Sequence, residues 1–484
     1  EGTKMNEKKN KKPGIGLALV PVVAMLGLLG VGIVAYGLPA EPLILVATVI
    51  SAVLAMYLGY SFDDIMKSIS EKISNTMPAL LILITVGLMI GSWMIGGTIP
   101  MMIYYGLKII SPSFLFITAF VVTAIVSVLT GTSWGSAGTI GVAFMGVGIA
   151  MDINLAMVAG AVVSGAYFGD KLSPMSDTTN LSAVSTGVDL YVHIKNQLWT
   201  TGPSFIIASV VYVIAGRSLN SSGQAIPEQV LILMENLNQM FNWNILYVVP
   251  VIIVLWGSIT KKPSIPTMLL ASLVALLNAL IFEGQTLANV VGATLNGFNV
   301  SMLGLAETEV LPEIITLLTR GGMMSMMNTL LIAILAITFA GTMTVTGSLD
   351  IIIEKLLVYV NSTFKLIATT IGICLVTIGV TSNGQVSILM PGESLRGAYV
   401  ARGIHPKVLA RTIEDSVTVI EPLMPWTAAG AYMAGTLGVA TLEYLPWATF
   451  NYLGIAIALI LAATGIGVEK INPEKFEKNL KLKV

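Results

Sequence analysis

Apolar runs of about twenty residues recur along the chain, and they constrain its fold more than any other feature. A helix needs about 20 apolar residues to cross the hydrocarbon core of a bilayer. Hydrophobic residues make up 55% of the chain and charged residues only 11%, whereas soluble domains carry about 25% charge. The sequence therefore predicts an all-α polytopic membrane protein. The predicted spans are residues 15–36, 42–60, 77–95, 197–216, 244–260, 265–282, 326–346 and 446–466.

The few charged and sulfur-containing residues exclude several functions. Basic residues gather only near the two ends of the chain, so the sequence offers no basic face for nucleic acid. Cys374 is the only cysteine, which excludes an intramolecular disulfide and a cysteine metal cluster. H-E-x-x-H and P-loop motifs are absent, so the sequence supports neither a zinc protease nor an ATP-driven pump. We expect no resident cofactor.

One polar stretch interrupts the apolar pattern of the first half. It reads Gly165-Ala-Tyr-Phe-Gly-Asp-Lys-Leu-Ser-Pro-Met-Ser-Asp-Thr-Thr-Asn180. Pro174 donates no backbone hydrogen bond and disfavours helix at the residue before it, so a helix should break here. Inside a bilayer, a break is tolerated only where protein or a water-filled cavity satisfies the freed backbone groups. A charge near the bilayer centre costs about 2.5–3.5 kcal/mol to insert, so Asp170 and Asp177 predict an ion site.

The second half repeats the first half at an offset of 251 residues. The segment Thr130-Gly-Thr-Ser133 matches Thr381-Ser-Asn-Gly384. The segment Asp170-Lys-Leu-Ser-Pro-Met-Ser176 matches Glu421-Pro-Leu-Met-Pro-Trp-Thr427, with an acid, a leucine, a proline and a hydroxyl in the same order. An insertion at about residues 300–325 lengthens the second half. The sequence therefore predicts two repeats, residues 15–217 and residues 244–467.

Lysine and arginine in short loops predict the orientation of the spans, because such loops stay in the cytoplasm. Cations at both chain ends predict cytoplasmic tails at residues 1–14 and 468–484, whereas a linker at residues 218–243 is predicted outside. Residues 1–4 precede Met5 and are interpreted as left over from expression, and no cleavable signal peptide is expected. The first repeat then starts inside and the second outside, which predicts inverted-topology repeats, as in alternating-access transporters. The lysines used are Lys8, Lys9, Lys11, Lys12, Lys67, Lys72, Lys261, Lys262, Lys470, Lys475, Lys478, Lys481 and Lys483.

The polar, glycine-rich remainder of each repeat does not fit continuous spans. One corner of the second repeat carries cations and is predicted cytoplasmic, whereas the matching corner of the first repeat, at Asp152, carries none. This difference fits re-entrant hairpins at residues 114–150 and 364–400 that enter the membrane from opposite sides. Their tips are predicted at residues 130–133 and 381–384. The two proline-containing stretches then become broken transmembrane helices, and four broken ends converge near the midplane.

Sodium binds several oxygen atoms at once, and broken helices supply unpaired carbonyl oxygens. Burial disfavours the charged form of a carboxylate, so an acid in such a site carries a proton without sodium and releases it when sodium arrives. This competition couples the two ions without a separate proton relay. The predicted ligands of sodium and protons are Asp170, Asp177, Thr178, Glu421 and Thr427, with Thr132, Ser133, Ser382 and Asn383 at the hairpin tips.

Structural roles remain open for the polar residues of both repeats. In a purely structural role, Asp170 and Lys171 would form a neutral pair that holds a turn, and Asp177 would cap the following half-helix. Positions at the membrane face are expected for Glu414 and Asp415, paired with Arg411 or Arg402, and for His193 and His405.

A hydrolase is the alternative that the segment Gly131-Thr-Ser133-Trp-Gly135 raises, because it matches the G-x-S-x-G pattern of serine hydrolases. Such an enzyme needs a histidine beside Ser133, and neither His193 nor His405 is expected at midplane depth. The matching segment of the second repeat keeps the polar break but moves the serine. A hairpin tip explains both copies, so we do not expect an enzyme.

The stretch Gly169-Asp-Lys-Leu-Ser-Pro-Met-Ser-Asp-Thr-Thr-Asn180, with Gly131-Thr-Ser-Trp-Gly135 upstream, resembles the NhaC-type sodium/proton antiporters of the ion-transporter superfamily. The resemblance covers nearly the whole membrane domain. It implies sodium extrusion in exchange for protons at the cytoplasmic membrane. It also implies an elevator-like motion within the lipid bilayer and a homodimer held by uninterrupted scaffold spans, including residues 42–60 and 265–282.

Two other transport functions remain open. Relatives of this family exchange malate and protons for sodium and lactate, so a small carboxylate is an alternative cargo, with Lys171 and Asn383 as expected contacts. A passive channel is the other possibility. Inverted repeats with paired central breaks favour a carrier over a channel.

Overall fold

The computed structural model describes residues 12–109, 111–174, 176–218, 228–260, 262–305, 310–358 and 360–473. Parts of both predicted tails, of the linker and of the predicted insertion lie outside these residues, as does Met175 of the first polar stretch. The predicted cytoplasmic lysines that lie outside the described residues are Lys8, Lys9, Lys11, Lys261, Lys475, Lys478, Lys481 and Lys483.

The described residues form α-helices joined by short 3-10 turns, and these residues contain no β-strand. The helices, numbered along the chain, are α1 (Ile15–Tyr36), α2 (Ala40–Tyr57), α3 (Phe62–Ile95), α4 (Thr98–Ile109), α5 (Leu115–Thr130), α6 (Ser133–Ser136), α7 (Val142–Ala150), α8 (Leu155–Leu172), α9 (Asp177–Thr186), α10 (Leu190–Ser218), α11 (Glu228–Met240), α12 (Val249–Ile259), α13 (Ser264–Ile281), α14 (Leu287–Asn296), α15 (Pro312–Leu318), α16 (Met327–Thr346), α17 (Ser348–Val358), α18 (Thr363–Thr381), α19 (Gly384–Ala401), α20 (Pro406–Ser416), α21 (Ala428–Leu437), α22 (Thr441–Tyr444) and α23 (Thr449–Thr464).

Within the described part of the chain, 9 helical segments are long and apolar enough to cross a membrane, or up to 11 if two sharply bent pairs each count as one span. The bent pairs are Leu231–Met240 with Ile245–Gly257, at 104°, and Thr441–Trp447 with Thr449–Thr464, at 58°. This confirms the prediction of an all-α polytopic membrane protein. The span predicted at residues 77–95 is the second part of a longer helix, because α3 continues through Pro78 as one helix of 34 residues.

The two halves share backbone conformations at the predicted offset of 251 residues. In each half, the predicted hairpin tip has a residue in the left-handed conformation, and the residue after it caps the next helix. Further along each half, a capping residue begins a short helix, and a left-handed glycine ends it. The matching pairs are Gly131 with Ser382, Thr132 with Asn383, Ser176 with Thr427, and Gly187 with Gly438. These matches support the predicted repeat. Its inversion across the membrane and the boundaries of the repeats stay predictions.

The helix breaks occur where the sequence places them. Helix α5 ends at Thr130 and α6 begins at Ser133, while α18 ends at Thr381 and α19 begins at Gly384. Between α6 and α7 the helix widens into a π-turn at Ala137–Gly141, an irregularity that is often found near functional sites. The breaks support two helical hairpins, and their entry from opposite sides of the membrane stays a prediction.

Close packing of α8 against α5 fixes the position of the first polar stretch. A Cβ atom added at Gly165 would overlap the carbonyl oxygen of Phe120, and one added at Gly169 would lie 2.6 Å from the backbone nitrogen of Val128. The Ser127 hydroxyl donates to the Ala166 carbonyl oxygen at 2.6 Å. Glycine at these two positions therefore lets α8 approach α5 and carry its C-terminal end to the break.

Candidate ion-binding site

A cavity of about 900 Å³ collects polar side chains from both halves of the chain. Its walls include the ends of the helices that break in the first half and of those that break in the second half. Seven of the predicted ion ligands line it: Thr132, Ser133, Asp170, Asp177, Thr178, Asn383 and Glu421. The structure therefore brings together the acids from the two breaks in one space.

Asp170 lies at the C-terminal end of α8, and its side chain is only 6% exposed. The Ser133 hydroxyl, at the first residue of α6, donates to Oδ2 of Asp170 at 3.0 Å. The Ser176 hydroxyl, at the start of α9, interacts favourably with the same carboxylate. Asp170 thus lies between the N-terminal ends of two helices, where the partial positive charge of the helix dipole favours an anion.

Glu421 occupies the matching position in the second half, within the 3-10 turn Glu421–Leu423. The backbone amides of Gly384 and Ala429 interact favourably with its carboxylate. These amides belong to the first turns of α19 and α21, so Glu421 also lies between two helix N-termini. Asp170 and Glu421 are close enough to interact electrostatically. The two halves therefore present two acids in equivalent settings to one cavity.

Asp177 and Thr178 form the part of the wall at the start of α9. The structural alternative for Asp177 was wrong, because Ser176 is the cap of α9 and accepts a hydrogen bond from the Thr179 amide. Asp177 follows the cap, is exposed and lines the cavity. Its charge acts on Asp170. The two carboxylates of this half repel each other, and a bound cation would relieve that repulsion.

The remaining predicted ligands hold the breaks in shape. Thr132 and Asn383 cap α6 and α19, with Asn383 Oδ1 accepting from the Val386 amide at 3.0 Å. Ser382 and Thr427 are not among the described residues that line the cavity. The Thr427 hydroxyl lies 2.6 Å from the Glu421 carbonyl oxygen and accepts from the Gly430 amide at 3.0 Å. Thr427 therefore shapes the turn that carries Glu421.

Comparison with known proteins decides the family. A model of the Na+/H+ antiporter family matches residues 165–466. The chain belongs to the Na+/H+ antiporter family. The resemblance to NhaC-type antiporters that the two polar motifs predict is therefore confirmed, and the family is one of multi-pass membrane transporters rather than enzymes.

Three relatives of this antiporter-family chain match over nearly their whole length. An "Uncharacterized Na(+)/H(+) antiporter" of Haemophilus influenzae is 58% identical over 94% of this chain and 97% of its own. The "Na(+)/H(+) antiporter NhaC" of Alkalihalophilus pseudofirmus is 34% identical over 95% of this chain and 98% of its own. A "Malate-2H(+)/Na(+)-lactate antiporter" of Bacillus subtilis is 33% identical over 91% of this chain and 93% of its own.

Lys171 of this antiporter-family chain does not line the cavity. Its side chain is 1% exposed and forms an ion pair with Asp415 of α20, while Thr200 donates to the same Asp415 oxygen at 2.9 Å. The expected neutral pair of Asp170 with Lys171 was therefore wrong, because consecutive helical residues point about 100° apart. In this structure Lys171 is not available to an organic anion in the cavity.

Three of the charged residues expected at the membrane face, Arg411, Glu414 and Asp415, are buried within the protein, whereas Arg402 is exposed. Glu414 and Asp415 are both 0% exposed, and Asp415 pairs with Lys171 rather than with an arginine. The Arg411 guanidinium donates to the Gly467 carbonyl oxygen at 3.1 Å. Arg402 donates to the Val360 carbonyl oxygen at 2.8 Å.

The two histidines of this antiporter-family chain lie away from Ser133. His193 is fully buried in α10, 2.7 Å from the Gln197 side chain, and its interfacial position stays a prediction. His405 caps α20, where its Nδ1 accepts from the Lys407 amide at 3.1 Å. No histidine is among the described residues that line the cavity, and Ser133 hydrogen-bonds Asp170. This arrangement lacks the histidine that a serine hydrolase requires.

Sequence reasoning missed several residues of the cavity wall. Asn75 and Thr76 of α3 line it, as do Lys262 and Thr267 near the start of α13. Their only signal in the sequence is polarity at the edge of an apolar run. Tyr167 was also missed. Its buried hydroxyl meets hydrogen-bond geometry with no described residue, and it interacts with Ser133 and electrostatically with Asp170 and Glu421.

Proposed function

We propose that the protein is a secondary transporter that exchanges sodium for protons across the cytoplasmic membrane by alternating access. One observation carries the proposal: Asp170 and Glu421, one acid from each half, lie at helix breaks and line the same cavity of about 900 Å³. Membership of the Na+/H+ antiporter family supports it. Both acids belong to elements that are deeply buried, where an ion is the natural partner of a carboxylate.

Competition between sodium and protons for the same carboxylates couples the two ions in this proposal. Asp170, Asp177 and the hydroxyls of Ser133 and Thr178 supply hard oxygen ligands on one wall of the cavity. Glu421 lines the same cavity. Because these acids repel one another, each charge must be neutralised by a proton or by sodium before the site closes. Arrival of sodium releases the proton, and the reverse exchange resets the site.

Alternating access requires the cavity to open to each side of the membrane in turn. We infer that the two hairpins and the broken helices move together as an elevator-like unit within the bilayer. Scaffold helices including α2 and α13 would stay in place and hold a homodimer. Both chain termini would face the cytoplasm, as the loop lysines predict. The paired breaks at equal offsets in the two halves support this mechanism.

Reconstituted transport tests the proposal. The purified protein in proteoliposomes should change the lumenal pH when a sodium gradient is imposed without any organic anion. Asp170→Asn should lower this flux about tenfold or more, because an amide neither releases a proton nor neutralises sodium, and charged hydrogen bonds are worth about 1.5–3 kcal/mol. Asp63→Asn makes the same chemical change at an exposed position of α3 and should keep wild-type flux. Undiminished flux in Asp170→Asn would remove Asp170 from the mechanism.

A sodium-coupled exchange of small carboxylates is the second candidate, and the size of the cavity favours it. A water molecule takes up about 30 Å³ of liquid, whereas the cavity offers about 900 Å³. Lys262, Asn383 and Gln385 on its wall provide a cation and amide donors for a carboxylate. One relative is named as a malate and lactate antiporter. If a sodium gradient changes the lumenal pH only after malate or lactate is added, this candidate replaces simple exchange.

A further inference from the structure

A second group of buried charged side chains lies outside the cavity, where α20 packs against α9 and α10. Arg411, Glu414 and Asp415 of α20 are each no more than 1% exposed. Asp415 already has a counter-charge, because it pairs with Lys171. None of these residues is among the described residues that line the cavity, and the proposed exchange does not use them.

Glu414 is the residue that this network leaves without a partner. Its side chain is 0% exposed, and neither carboxylate oxygen has a hydrogen-bond partner among the described residues. Two hydroxyls lie beside it without meeting hydrogen-bond geometry: those of Ser182 in α9 and of Thr418 after α20. Both hydroxyl oxygens are buried and equally without partners in the described chain. Four oxygen atoms therefore converge with no hydrogen bond among them.

The surrounding charges leave Glu414 without a counter-charge of its own. Lys171 attracts the Glu414 carboxylate, but this ammonium is already bound to Asp415. Asp170 repels Glu414 from the cavity side. Arg411 donates to the Gly467 carbonyl oxygen, and its charge acts on Asp415 and His193. An ionised carboxylate that is buried without a partner is costly, so the group requires either a proton or a metal ion.

The ligand set distinguishes these two possibilities. A proton on Glu414 needs one acceptor, whereas a hard cation gathers several carboxylate and hydroxyl oxygens around itself. Ser182 follows Leu181, and Leu181 lines the cavity. The group therefore adjoins the cavity across α9.

We propose that Glu414, Ser182 and Thr418 form a second, enclosed sodium site next to the cavity. The inference rests on the proposed exchange, since it adds a site to the same transporter. Sodium binding there displaces the proton of Glu414, so one sodium ion enters the site as one proton leaves. Because Asp170 and Glu414 interact electrostatically, a cation at either site lowers the repulsion felt at the other.

Counting bound sodium tests this site. Equilibrium binding of radioactive sodium to the purified full chain should give two ions for the wild type and one each for Glu414→Gln and Asp170→Asn. If Glu414→Gln binds as much sodium as the wild type, the second site is wrong and the proposed exchange stands. If Asp170→Asn binds as much as the wild type while Glu414→Gln loses one ion, the cavity site is wrong and the second site stands.

A pair of milder variants tests the same site in case Glu414→Gln does not fold. Ser182→Ala removes one proposed ligand and should lower the affinity for the second sodium ion about tenfold, which corresponds to a loss of about 1.4 kcal/mol of binding free energy. Ser416→Ala is the matched control, because the Ser416 hydroxyl donates to the Thr412 carbonyl oxygen at 2.7 Å within α20. It should leave both affinities unchanged. Equal sodium binding by these two variants would mean that Glu414 is a protonated structural acid, which overturns the proposal.

Discussion

At the scale of single residues, Gly384 controls the position of Glu421 most directly. A Cβ atom added at Gly384 would lie 2.5 Å from Oε2 of Glu421, and the Gly384 amide interacts favourably with the same carboxylate. Gly384→Ala should therefore displace the carboxylate and weaken sodium binding about tenfold, because a hydrogen bond to a charged group is worth about 1.5–3 kcal/mol. The shift of the thermal unfolding midpoint with sodium concentration measures this change.

Gly397 provides the matched control in the same helix, α19. A Cβ atom added there meets nothing within 4 Å, so Gly397→Ala should keep the sodium dependence of the wild type. It should also raise the free energy of unfolding by up to about 1 kcal/mol, the difference in helix propensity between glycine and alanine. An identical sodium response of the two variants would show that Glu421 does not depend on Gly384.

The sequence alone was sufficient to identify the acids but not to orient them. Asp170 and Glu421 stand out because a carboxylate is rare inside an apolar chain, and a proline, Pro174 or Pro425, follows each of them by four residues. Whether Asp170 or its neighbour Lys171 reaches the cavity depends on the helices that pack on each side of α8. No local sequence pattern specifies that packing. Lys171 therefore looked like a cavity residue, although it pairs with Asp415 on α20.

At the scale of helices, the contact between α5 and α8 sets where Asp170 lies. A Cβ atom added at Gly169 would overlap the Ala124 carbonyl oxygen and the Ser127 side chain. Gly169→Ala should therefore force the two helices apart and lower the free energy of unfolding by about 1–3 kcal/mol, the usual cost of overpacking. Chemical or thermal unfolding in detergent measures the loss, and sodium binding should weaken with it.

The control for this contact is Gly372→Ala in α18. A Cβ atom added at Gly372 meets nothing within 4 Å, so the same substitution in the middle of another helix should not destabilise the protein. If Gly169→Ala were as stable as Gly372→Ala, the close approach of α8 to α5 would not be what positions Asp170.

Helix breaks were predictable, whereas the continuity of some helices was not. Proline and capping residues act locally, so the end of α8 and the start of α9 follow from the sequence around Pro174. The polar first half of α3 gave no sign of joining the apolar second half. The first half of α3 is helical because it packs against α16, a contact between residues far apart in the sequence: the Ser68 hydroxyl donates to the Gly341 carbonyl oxygen at 2.8 Å. Similarly, the hydrophilic linker at residues 218–243 contains α11.

At the scale of the whole molecule, the two halves are alike in backbone and different in chemistry. Asp170 and Glu421 occupy matching positions, but the mate of Asp177 is Ala428, the first residue of α21. Among the described residues of the cavity wall, only the first half therefore adds a second carboxylate. A cation should bind nearer to the first half, and a motion that exposes that wall to one side and then to the other would carry the ion across.

Inversion of the two halves makes a prediction that is independent of transport. Asp189 and Ala440 are 251 residues apart, each lies two residues after the left-handed glycine of a matching short helix, and both are exposed. Parallel repeats would place these positions on the same side of the membrane. Inverted repeats place Asp189 in the cytoplasm and Ala440 outside.

Single cysteines at these two positions distinguish the arrangements. The natural Cys374 is 0% exposed, and replacing it with alanine gives a background without thiols. In right-side-out vesicles, a membrane-impermeant maleimide should label Ala440→Cys but not Asp189→Cys, and in inverted vesicles the result should reverse. Labelling of both cysteines from one side would show that the halves are parallel. The alternating-access mechanism would then lose the symmetry on which its two equivalent open states depend.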